Sequence, residues 1–95
     1  MKRSGTGTVY VAGNRDRGLY RIGWTNGHLD VRIAQMHREN AFPIMEIASS
    51  WVKDAPQVET QLKKLFLLNR VLGGWFLLTD KDLAIIRRIL GLDLF

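Results

Sequence analysis

The sequence predicts a small α/β sandwich, a sheet of three or four strands that opens with a hairpin and is covered by about three helices. Three observations predict it. Two β-rich runs flank a short polar turn near the start, three later stretches repeat apolar residues at helical spacing, and each of these begins at a capping signature. The order is ββαβα(β)α. With 95 residues and no repeats, low-complexity segments or linkers, residues 1–95 read as one domain.

Thr6 to Ala12, TGTVYVA, is dense in β-branched and aromatic residues and reads as the first strand. The polar turn GNRDRG follows. Leu19 to Trp24 then forms the second strand, so the pair reads as an antiparallel hairpin. Asn26 to Asp30 offers several N-caps, after which Leu29, Ile33 and Met36 recur at helical spacing until about Glu39-Asn40. Phe42 to Val52 is strand-like through its middle, with Pro43 at its start, where a strand tolerates it. Asp54-Ala55-Pro56 starts the second helix. Its expected face runs through Val58, Leu62, Leu65, Phe66 and Asn69 until Gly73-Gly74 stops it. Trp75 to Leu78 fits a fourth strand or an extended edge. Thr79-Asp80-Lys81-Asp82 resembles a capping box with Asp82 where glutamate is usual, and the third helix then buries Leu83, Ile86 and Leu90.

Apolar residues make up 46% of the chain, enough for a core and too many for a disordered tail. The absence of cysteine excludes a disulfide framework and a thiolate zinc site. No apolar run is long enough to span a bilayer, and the basic start lacks the apolar stretch of a secretion signal, so the expectation is a cytoplasmic protein without a membrane. Lys and Arg number 14 against 9 acidic residues, a net charge of +5 that favours a polyanionic partner. Arginine, the side chain best shaped for bidentate phosphate contacts, dominates those cations.

Two charged residues stand out by position. On a helical projection Arg32 lies beside the Leu29/Ile33/Met36 stripe, and Glu59 lies at the edge of the Val58/Leu62/Leu65 stripe. A charge there projects along the rim of the sheet, where a cleft forms. The simpler account is a snorkelling arginine and a Glu59–Lys63 pair at i, i+4. Spacing by itself leaves both open.

The runs TVYVA at 8–12 and YRIGWT at 20–25, with an arginine in the next helix and a glutamate in the following one, resemble the GIY-YIG nuclease superfamily. NAFPI at 40–44, VETQLKKLF at 58–66 and RVLGGWFLLT at 70–79 resemble its compact phage and bacterial branch, whose second motif reads Tyr, basic, Ile, Gly, any residue, Thr. The likeness extends from about Thr8 to Ile89. It implies a DNA endonuclease in which Tyr10 belongs to the first motif, Arg21 takes the place of the second motif's tyrosine beside Ile22 and Gly23, and Arg32 steadies the scissile phosphate. Glu59 is the implied ligand of one divalent cation, Mg²⁺ or Mn²⁺. Arg21, Met36, Lys63 and Gly74 depart from the pattern, standing where relatives or other branches carry Tyr, His, His and Glu.

The chemistry asks for these residue types independently. A hard cation prefers carboxylate oxygen and usually keeps several waters, so a single protein carboxylate can suffice. Charge developing on a phosphoryl group needs a permanent cation with a fork of donors. Strand alternation sends Tyr20 and Arg21 to opposite faces, and arginine does not serve as a general base. Arg15, Arg17, Arg21, Trp24 and Lys63 are the candidate DNA contacts, although Trp24 reads first as core or edge packing, with stacking on a nucleotide as its second reading. Trp51 and Trp75 read as core or edge packing, His28 and His37 as surface residues, and Asn69 as helix C-terminal chemistry. Two other functions fit the same composition, a catalytically inactive nucleic-acid-binding module of the same fold and a protein-interaction domain.

Overall fold

The computed structural model describes residues 5–92. Within them β1 (Gly7–Asn14) and β2 (Leu19–Thr25) form the hairpin, α1 (Leu29–Glu39) follows, and β3 (Met45–Val52) returns to the sheet. Next, α2 (Ala55–Leu65) leads through two single-turn 3-10 segments to β4 (Phe76–Leu77) and α3 (Asp80–Ile89). The sheet is antiparallel, in the order β3-β1-β2-β4. This is the predicted α/β sandwich, with four strands and three helices.

Alternation along β1 builds two cores. Val9 and Val11 face one side, where Leu62 and Phe66 meet Leu83 and Ile86 of α3. Tyr10 and Ala12 face the other, against Met36 of α1 and Ile44, with Leu29 and Ile33 partly buried beside them. Both faces of β1 are therefore covered, which is why its sequence is apolar almost throughout instead of alternating. Truncating Leu62 or Ile86, each essentially inaccessible to solvent, would cost about 2–5 kcal/mol. The capping box at α3 is present as predicted. The Asp82 N–H donates to Thr79 Oγ1 at 3.2 Å, and the Thr79 N–H donates to Asp82 Oδ2 at 2.9 Å.

Three expectations need correction. The third strand starts at Met45 and not Phe42, because the backbone before it bonds to side chains instead of the ladder. Asn14 Nδ2 donates to the Pro43 carbonyl at 2.9 Å, and the Ile44 N–H donates to His37 Nδ1 at 3.1 Å. The second helix ends at Leu65, since Phe66 leaves helical backbone geometry while its side chain stays in the core. Leu65, the last residue of α2, is exposed, and Asn69 holds the following segment by donating to the Leu77 carbonyl at 3.1 Å. Trp51 is 65% exposed on the edge strand β3 and packs in neither core. No helix among the described residues is long and apolar enough to cross a membrane.

Candidate functional site

The sheet leaves a gap. β4 pairs only with Leu19 and Tyr20, so Arg21 to Thr25 have no strand partner on that side among the described residues. A cavity of about 310 Å³ lies there, bounded by Arg21 to Trp24 of β2, Tyr10 of β1, Arg32 and Met36 of α1, and Glu59 and Lys63 of α2. Tyr10, Arg21, Arg32 and Glu59, singled out separately along the sequence, share its wall.

Tyr10 sits opposite Gly23 in the β1–β2 register. A Cβ at Gly23 would lie 2.5 Å from the Tyr10 hydroxyl oxygen and 2.7 Å from Cζ, so the missing side chain is what lets the phenol cross the sheet there. That buried ring carries its hydroxyl to Arg32, whose Nε–H donates to Oη at 3.3 Å. This hydrogen bond, followed by attraction to the tyrosine oxygen, raises the Arg32 pKa above its ordinary value. Arg32 is therefore a permanent cation aimed by a tyrosine. Met36, one turn further along α1, closes the wall with a thioether.

Arg21 is held by an aromatic ring. Its guanidinium carbon lies 4.6 Å from the centroid of Trp75, which in turn packs against Phe42 at 5.5 Å, and Arg17 lies 4.9 Å over Phe42. Gly74 brings Trp75 there through a left-handed backbone conformation, φ 79°, that an L side chain rarely adopts. The Arg21 Nε–H is buried with no hydrogen-bond acceptor. An arginine whose neighbours are a ring and a cavity is a donor set without an anion.

Glu59 is the one carboxylate on the cavity wall, facing three cations, Arg21, Arg32 and Lys63. Lys63 Nζ lies 3.5 Å from Glu59 Oε2, the anticipated i, i+4 pair. Among the described residues no group of three or more His, Asp or Glu side chains converges to cage a metal. The wall as a whole favours an anion.

No family model, curated protein or solved structure aligns with the chain.

The remaining candidates separate by position. Trp24 and Lys63 line the cavity, whereas Arg15 and Arg17 belong to the hairpin turn and do not. Arg15 Nη1 instead pairs with Asp80 Oδ1 at 3.3 Å, and Arg17 covers Phe42. His37 accepts a backbone hydrogen bond and Asn69 donates one, so both hold loops. Sequence reasoning missed Trp75 as the support of Arg21. The signal was faint, a tryptophan directly after two glycines.

Proposed function

We propose that this chain is a divalent-metal-dependent DNA endonuclease of the GIY-YIG type, hydrolysing a phosphodiester bond in the β2-edge cavity. The observation that carries the proposal is the convergence of Tyr10, Arg21, Arg32 and Glu59 on one wall, from four different elements. A phosphate in the cavity would accept from Arg21, Arg32 and Lys63. The arginines would then stabilise the charge that grows on the phosphoryl oxygens. Tyr10, already accepting from Arg32, keeps its own O–H to orient a water toward phosphorus.

The donor set fits a hard cation on one condition. A single carboxylate among three positive side chains does not retain Mg²⁺ or Mn²⁺ strongly by itself, but Glu59 and a bound phosphate together supply the anionic oxygens such an ion prefers. Glu59 would hold such an ion, which would supply Lewis-acid polarisation of the phosphate and lower the pKa of a water. Metal uptake by the free protein would accordingly be weak and would strengthen with DNA present.

The Glu59–Lys63 pair favours a second reading, a nucleic-acid-binding module without catalysis, because it neutralises the carboxylate the metal needs. One experiment decides between them, cleavage of plasmid and branched DNA with Mg²⁺ or Mn²⁺ by wild type, Glu59→Gln and Tyr10→Phe. An endonuclease loses ~10²-fold or more of its activity on Glu59→Gln while keeping or tightening DNA binding. Wild type that binds and never nicks is the binding module. Undiminished cleavage by Glu59→Gln rejects this site.

A further inference from the structure

A second, smaller cavity of about 150 Å³ adjoins the first, and Lys63 and Gly74 line both. Its other walls are Phe76, buried in the core, and Leu67 and Arg70 of the segment after α2. With Leu67 and Phe76 as its apolar walls, a space of about 150 Å³ is large enough for one six-membered aromatic ring. The rim side chains Lys63 and Arg70 only donate hydrogen bonds, and every nucleobase presents acceptors at its edge.

The segment framing this cavity is unusual. Between Glu59 and Asp80 the chain has no acidic residue and three cations, Lys63, Lys64 and Arg70. Leu67 is 58% exposed, Leu68 fully exposed and Leu72 91% exposed. Leucines left in water beside a run of like charges suit a partner that is apolar in patches and anionic between them. A two-fold contact with a second copy would set the same cations against each other. Nucleic acid, with apolar base faces between phosphates, has the complementary pattern.

We infer that the Leu67/Arg70/Phe76 cavity receives an extrahelical base of the nucleotide whose phosphate occupies the neighbouring cavity. This rests on the proposed phosphate site and narrows its substrate to DNA with an unpaired or easily unstacked nucleotide, such as a bulge, mismatch or branch. Extruding such a base costs least where it is already unpaired, so the cavity converts local melting into selectivity.

The test uses the full chain and two duplexes, one with a single-nucleotide bulge and one with an abasic residue at the same bulge. Both offer the same phosphates. The bulged base should bind on the order of tenfold more tightly, the scale expected from burying one ring and one leucine. Leu67→Ser, at an exposed position, should bring the two affinities within about twofold without changing binding to the abasic duplex. Arg70→Gln should weaken the bulged duplex selectively, whereas a plain phosphate contact would weaken both equally. Equal affinity of wild type for the two duplexes, or preference surviving Leu67→Ser, overturns the inference while leaving the phosphate site standing. Binding to neither duplex at low salt removes the phosphate site and the base cavity with it. A dimeric wild type that Leu68→Ser with Leu72→Ser makes monomeric, with the preference unchanged, assigns the exposed leucines to self-association instead.

Discussion

Tyr10 and Gly23 face each other across the β1–β2 ladder, and the phenol lies over the glycine where any side chain would stand. Gly23 is thus a steric requirement of Tyr10. Gly23→Ala should destabilise the fold by about 1–3 kcal/mol, because a buried ring has to give way. It should also release Arg32 from Tyr10. Denaturant midpoints check the first effect and DNA affinity the second. A variant as stable and as active as wild type would show that the ring moves freely.

Arg21 and Trp75 should act as one unit. If the indole positions the guanidinium for phosphate, then Trp75→Leu weakens DNA binding in the wild-type background and adds almost nothing once Arg21→Ala is present. Trp75→Phe, which retains a ring face, should restore part of the loss. Independent, additive effects would mean that Trp75 serves only to pack the loop against Phe42.

Salt dependence separates cations that meet phosphate from those that do not. Arg21→Ala and Arg32→Ala should each lower affinity across unrelated sequences and reduce the steepness of the salt dependence by about one phosphate contact. Arg15→Ala should leave the slope nearly unchanged, because Arg15 pairs with Asp80 away from the cavity. Titrations between about 50 and 200 mM salt measure this.

Alkaline pH should weaken the fold through Tyr20. Burial raises its pKa above the ordinary value of 10.0, with Arg15 lowering and Asp80 raising it to lesser extents. The folded state therefore holds the phenolic proton more tightly than the unfolded chain. The sign follows directly. This stabilisation is fully present below pH 10.0 and is lost as pH rises through the higher folded pKa. Tyr20→Phe should flatten the stability profile above that point, measured by chemical denaturation across the alkaline range. An unchanged profile would place the alkaline sensitivity elsewhere.

The sequence by itself determined the element order, the opening β1–β2 hairpin and the capped start of α3. These follow from period, propensity and local side-chain bonds that span only a few residues. It also nominated Tyr10, Arg21, Arg32 and Glu59, since charges at the edges of apolar stripes and a resemblance in motif order are one-dimensional signals. Only the tertiary structure decided that β4 would stop after two residues and leave β2 open beside Arg21. It alone set Trp75 beneath that arginine, put Arg15 against Asp80, and turned the chain out of α2 at Phe66. Each of these rests on contacts between residues far apart along the chain, whose geometry depends on where two cores come to rest against one sheet. Periodicity carries no record of that placement, so the walls of the site were legible as residues and not as a shape.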